Sequence, residues 1–151
     1  MSDSQPEHAR RGRRAKVFLL CLLIINGVLT LFALPAVFMP MSWMDAVHQR
    51  MGLGPLPEGP IVEYLARSLS GMYAAFGSMT LLLAWDIRRF APLVTWWGVM
   101  AILFGVALLW IDLHAGMPDW WTWGEGPYLI PVGVLVLLLH GMVRRAFAAP
   151  A

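Results

Sequence analysis

Four apolar stretches, at residues 17–38, 69–85, 93–111 and 128–143, divide this chain of 151 residues, and its basic residues collect at one set of their ends. Arg10, Arg11, Arg13, Arg14 and Lys16 precede the first stretch. Arg88 and Arg89 separate the second from the third, and Arg144 and Arg145 follow the fourth. Only Arg50 and Arg67 fall in the other connections. A helix needs roughly 20 apolar residues to cross about 30 Å of hydrocarbon. The first and third stretches meet that length directly, and the second and fourth reach it with the residues just before them. Lys and Arg near span ends stay on the cytoplasmic side during insertion. The pattern therefore predicts an all-α fold: a membrane four-helix bundle with both termini cytoplasmic. Strands are excluded because the runs do not alternate, and four strands could not close a barrel.

A hydrophobic content of 59% against 13% charged residues exceeds the balance of a soluble domain, so much apolar surface must face lipid. The lipid bilayer is the first expected partner. Split by side, nine of the eleven basic residues lie on the cytoplasmic face, opposed there by Asp3, Glu7 and Asp86. Asp45, Glu58, Glu63, Asp112, Asp119 and Glu125 lie on the other side. Such a basic face is drawn to anionic head groups and orients the chain; nucleic acid is not an expected partner. Cys21 is the single cysteine, so no intramolecular disulfide forms. The first run is longer than a signal-peptide core and no small-x-small cleavage pattern follows it, which reads as an uncleaved span.

Three segments are expected: a disordered basic cytoplasmic tail over 1–16, a single four-helix transmembrane domain over 17–145, and a short tail over 146–151. In the first span Asn26 and Thr30 share a face, and Asn is costly against lipid, so this face should turn to neighbouring helices with Gly27 permitting close approach. After Pro40, Ser42 and Asp45 resemble a capping box. Met41, Met44, His48 and Met51 gather on one helical face before Gly52 and Gly54 stop the helix, predicting a short extracytoplasmic interfacial helix between helices 1 and 2. The second span should start near Pro60, with Glu63 and Arg67 in the favourable i, i+4 order. Ser70, Ala74 and Ser78 then form a small-residue ridge at four-residue spacing, with Gly71, Ala75 and Gly77 alongside, the expected central packing surface. Trp85, Trp96 and Trp97 at one boundary and Trp120, Trp121 and Trp123 at the other fit interfacial belts. Glu58-Gly59-Pro60 and Glu125-Gly126-Pro127 each open a returning helix, which raises a parallel duplication of two hairpins against independent use of generic helix-entry signals.

The candidate polar site consists of Glu63, Arg67, Asp112, His114 and Glu125, all expected near the extracytoplasmic helix ends. A charge at the edge of hydrocarbon must be paired or hydrated. The first reading is structural, with Arg67 pairing Asp112 or Glu63; the alternative is a binding or proton-handling site. His48, His114 and the methionines around them are soft ligands of the kind that suit Cu(I), but they form no dense repeat and read as packing. His140 lies a membrane thickness from His48 and His114, which argues against a shared haem iron. No metal and no cofactor is expected. Phosphate-loop, nucleophile-elbow and zinc-protease signatures are missing from the sequence, so the chain is not read as an enzyme.

The four-span layout, with Glu58-Gly59-Pro60, Ala66-Arg67-Ser68-Leu69-Ser70, Asp86-Ile87-Arg88-Arg89 and the segment from Asp112 through Gly116-Met117-Pro118, resembles small bacterial four-helix membrane proteins of the DoxX-like group. The resemblance covers about half the chain. It implies an inner-membrane location, and association with quinone-linked or redox partner complexes; it implies no catalytic residues. The functional expectation is a non-catalytic accessory or scaffold subunit of a membrane complex, with a protein partner or homo-oligomer. A transporter or channel component with a polar extracytoplasmic site, and a membrane redox protein of DoxX-like type, stand as alternatives.

Overall fold

Proline and glycine set the boundaries of the elements. The computed structural model describes residues 4–148, which contain helices and turns and no strand. The order is α1 (Ser4–Leu31), a 3-10 turn (Leu34–Val37), α2 (Met41–Arg50), α3 (Pro60–Trp85), α4 (Ala91–Ala115), α5 (Asp119–Gly124) and α6 (Gly126–Ala148). Three segments, Arg10–Val37, Ala91–Ala115 and Asp119–Ala146, are long and apolar enough to cross a membrane. At 26 residues α3 is also of spanning length. Its apolar run is interrupted by Ser70, Gly71, Gly77, Ser78 and Thr80.

Residues 10–16, expected in a disordered tail, are helical, with Gly12 and Ala15 buried. At the other end α6 runs through Ala148, so the expected tail from 146 begins as helix. Pro40 and Pro118 start the two short helices in the same way. Each proline is extended, and its carbonyl accepts from the amides three and four residues on: Trp43 and Met44 in α2, Trp121 and Thr122 in α5. Ser42 makes no cap, contrary to the capping-box expectation. Asp45 instead reaches forward to the loop beyond α2. Gly116, at φ 68°, terminates α4 in the left-handed conformation and donates its N–H to the Asp112 carbonyl. The short helix α5 was not foreseen.

The chain packs as two compact units, Ile25–Leu82 and the residues up to Ile24 together with those from Leu83 onward. In the first unit, the end of α1 and most of α3 form an antiparallel hairpin that touches backbone to backbone. A Cβ added to Gly77 would meet Leu31 N at 2.6 Å and Gly27 O at 2.7 Å. One added to Gly27 would meet Leu81 Cδ2 at 2.8 Å. Seam residues of α3 are Ala74, Gly77 and Thr80, all buried, whereas Ser78 is exposed and Ser70 and Gly71 are half-buried. A strict four-residue ridge drifts by about 40° around the helix at each step. The buried positions Ala74, Gly77 and Thr80 instead follow one another at three-residue steps. The hydroxyls of Ser70, Ser78 and Thr80 donate to the carbonyls of Ala66, Ala74 and Phe76 at 2.7, 2.9 and 2.9 Å. These hydroxyls are satisfied within their own helix.

The second unit repeats this contact. A Cβ on Gly133 would meet Gly98 O at 2.6 Å, and one on Gly98 would meet Leu137 Cδ2 at 2.9 Å, the leucine again four residues beyond its glycine. A second pair, Gly105 and Gly126, lies seven residues along each helix; a Cβ on either would sit 2.7 Å from the other's carbonyl oxygen. The Glu-Gly-Pro triplets are not equivalent. Gly59 sits in a loop at φ 142° with open space around it, whereas Gly126 is a buried helical residue packed on α4. Around the α4–α6 seam lie Leu19, Leu23, Leu83, Val94, Trp97, Val136 and Val143, the apolar core of this unit.

Gly133→Ala should lower the unfolding midpoint in detergent by the equivalent of about 1–3 kcal/mol, because the added methyl meets backbone that cannot yield. Gly141→Ala, where nothing lies within 4 Å, should leave it unchanged or raise it. Equal midpoints for the two variants would show that the glycine contact does not hold the hairpin.

Candidate functional site

The candidate residues divide between the two units. In Ile25–Leu82, Glu63 and Arg67 sit one turn apart at the start of α3 and pair at 2.9 Å. Of the two carboxylates considered for Arg67, the structure uses Glu63. Both side chains are partly exposed, so the pair itself contributes less than about 1 kcal/mol. Arg67 makes a second contact that sequence did not reveal: its Nη1 donates to the Val37 carbonyl at 2.6 Å. Val37 ends the 3-10 turn, where carbonyls lack helical partners. Arg67 thus ties the exit of α1 to the entry of α3. Deeper in the same hairpin, Asn26 is buried, and the Thr30 hydroxyl donates to its carbonyl at 2.6 Å.

Below that tie, α2 and the loop after it form a clasp. The positive-φ residues Gly52 and Gly54 turn the chain back along α2. Asp45 Oδ1 accepts from the Leu56 amide at 2.8 Å, its Oδ2 accepts from Gln49 at 2.7 Å, and His48 Nδ1 donates to the Gly54 carbonyl at 2.8 Å. The Leu56 amide, then the Gln49 side chain and the nearby His48, hold the Asp45 carboxyl below its ordinary value of 3.8. The anticipated face of Met41, Met44, His48 and Met51 is the half-buried side of this helix. An open cleft of about 420 Å³ is lined by Ser42, Asp45, Leu56, Glu58 and Glu63 among others. Two of its three carboxylates are already engaged, Asp45 with the loop and Glu63 with Arg67.

The second unit holds Asp112, His114 and Glu125. Asp112 is only 4% exposed, and its Oδ2 has no hydrogen-bond partner among the described residues. Its burial follows from the seam: it stands seven residues beyond Gly105, which stands seven beyond Gly98. His114, two residues on, points away. It is exposed, stacks on Trp110 at 4.2 Å between ring centroids, and donates Nδ1–H to the Trp110 carbonyl at 2.8 Å. Glu125 Oε2 accepts from Trp121 Nε1 at 2.6 Å, binding α5 to the entry of α6. Asp112 and His114 therefore form no dyad, and the candidates resolve into separate structural contacts plus one orphaned carboxylate oxygen.

His140 is buried, 3.1 Å from Thr95 Oγ1 on α4. It stands seven residues beyond Gly133 on the α6 seam. Thr122, also buried, was not singled out; it is carried inside by α5. No group of three or more His, Cys, Asp or Glu side chains among the described residues is arranged to hold a metal ion.

An unsatisfied buried carboxylate oxygen is costly. Asp112→Asn, which keeps the shape and removes the charge, should raise the unfolding midpoint by the equivalent of about 1 kcal/mol or more. Arg67→Gln should lower it. A lowered midpoint for Asp112→Asn would show that the native carboxylate holds a donor.

The Asp45 clasp carries its own pH dependence. A carboxyl whose folded value is depressed contributes stability that is present above the unfolded value and is lost as pH falls through the folded one. Protection of the Leu56 amide from hydrogen exchange should accordingly be constant above about pH 5 and decline below 3.8. Asp45→Ala should remove that protection at every pH, and an unchanged Leu56 exchange rate in this variant would exclude the clasp.

Compared with known protein families, with curated proteins and with solved structures, the chain matches none.

Proposed function

We infer that this protein is a multi-pass inner-membrane protein in which α1, α3, α4 and α6 all span the bilayer with both termini cytoplasmic. In this reading α2 lies in the extracytoplasmic interface, and the protein serves as a non-catalytic accessory or scaffold subunit of a membrane complex. The observation that carries it is the division of labour around each long helix. Inward faces meet backbone to backbone at Gly27–Gly77, Gly98–Gly133 and Gly105–Gly126. Outward faces present large apolar side chains, among them Phe18, Phe32, Trp85, Leu103 and Trp110, each more than half exposed. In a bilayer, lipid covers such faces at no hydrophobic cost, and close contact between small residues supplies the association. Rigid hairpins clad in apolar side chains suit a component that docks against other spans. The resemblance to DoxX-like proteins points the same way, toward membership of a larger assembly.

A second reading rests on Asp112. A buried ionisable residue in a span marks a candidate transport or proton pathway by default, and its unpartnered oxygen leaves room for a donor. In this reading the protein is a component of a transporter or channel, with Asp112 as the polar element of its site.

Purification from the native membrane in mild detergent, followed by native mass spectrometry and an absorbance scan, separates these readings. A colourless preparation retaining a defined second protein, in constant proportion, is expected. The chain alone, with an Asp112→Asn variant that abolishes a measurable ion or solute flux in vesicles, would replace the accessory role with transport. A bound chromophore or quinone would replace both with a redox role.

A further inference from the structure

We propose that one end of the second unit is a binding site for an anionic phospholipid bearing more than one phosphate. The site is assembled from three segments distant in sequence. Gly12 on α1 lies directly against Ala146 on α6, with their Cβ positions in contact. Just inside them, Ala15, Ile87 and Val143 are buried in one apolar cluster, which brings in the turn between α3 and α4. The surface around this closure is strongly cationic. Residues 10–16 carry five basic side chains, 86–89 carry two and 144–145 carry two, against the carboxylates of Asp86 and, three residues before Arg10 in sequence, Glu7.

The exposed Asp86 carboxylate is engaged by the turn itself: Asp86 Oδ1 accepts from the amides of Arg88 and Arg89 at 3.1 and 3.0 Å, capping it. Of the basic side chains, Lys16 is half-buried and the rest are exposed. The Arg89 guanidinium lies 5.8 Å from the Phe90 ring centroid, a contact that leaves its N–H edge available. Guanidinium groups arriving from separate helices suit a head group with two phosphates better than a single one, because each phosphate accepts a forked pair of hydrogen bonds.

The occupant is identified as a lipid by what lies beside the charges. Val17, Phe18, Trp85, Leu93, Trp96 and Met142 are exposed apolar residues within a few positions of the basic ones. A nucleic acid or an acidic peptide, confined to the aqueous side, would engage the charges alone and make no use of this wall. A phospholipid covers both at once, phosphates on the arginines and acyl chains along the helices. The inference stands apart from the accessory role and would hold for a transporter equally.

The test uses the purified full chain in neutral detergent. Cardiolipin, phosphatidylcholine and inorganic phosphate are each added, and lipid retention by native mass spectrometry is read alongside the melting midpoint. Cardiolipin should be retained and raise the midpoint, phosphatidylcholine should do neither, and the retention should weaken as salt rises. Arg13→Gln with Arg144→Gln should weaken cardiolipin retention roughly five-fold for each charge removed, while Arg50→Gln leaves it unchanged. Equal retention of phosphatidylcholine, or of cardiolipin by the double variant, would overturn the proposal. So would full stabilisation by inorganic phosphate, which would show an anion site without a lipid.

Discussion

Everything in this structure depends on helices touching through glycine. Where Gly98 meets Gly133 and Gly27 meets Gly77, a single added methyl would sit 2.6–3.2 Å from the facing backbone or side chain, so only hydrogen fits. In water such a contact would be a minor part of a stability dominated by burial of large side chains. Lipid removes that driving force, since acyl chains solvate leucine as well as another helix does. What remains is close packing over the length of the helix, and glycine permits the closest approach. The large side chains are free to point outward, which explains why so many of the aromatic and aliphatic residues are exposed.

The seven-residue spacing of the α4–α6 seam also decides where polar residues become buried. On α4, the positions at Gly98 and Gly105 continue to Asp112. On α6, those at Gly126 and Gly133 continue to His140. The seam is tight at its centre and carries a titratable side chain at each extension. His140 finds Thr95 across the helix pair, whereas Asp112 Oδ2 finds no hydrogen-bond partner among the described residues. The same geometry therefore creates a satisfied polar contact in one place and a costly one in another. That contrast makes Asp112 the residue whose retention asks for a reason beyond stability.

Features written in local sequence were legible, and those that depend on rotation about a helix were not. Pro60 at the start of α3 and Glu63 beneath Arg67 could be read directly, because both are local. So could Met41, Met44, His48 and Met51 as one face of α2. Ser78 could not be placed by the same reasoning. A four-residue ridge continues from Ala74 to Ser78, whereas the buried positions step by three from Ala74 to Gly77 and Thr80, so Gly77 is inside and Ser78 outside. Arg67 reaching the Val37 carbonyl spans 30 residues, and Asp45 reaching the Leu56 amide depends on two glycines reversing the chain. No spacing rule encodes either. The two Glu-Gly-Pro triplets misled for the opposite reason: identical residues occupy a loop in one place and a packed helix in the other.

By itself the sequence determined that the chain is helical, that its long segments are apolar enough for a bilayer, and that positive charge gathers at one set of helix ends. These properties are sums over local composition, and they survive any arrangement of the helices. The tertiary structure decided which glycines become contacts, which carboxylate Arg67 takes, that Asp112 is buried while His114 two residues on is exposed, and that Gly12 and Ala146 bring three basic segments together. Each of these depends on the angle at which one helix meets another. A rotation of a few tens of degrees, invisible in composition, moves a side chain from the seam to the lipid.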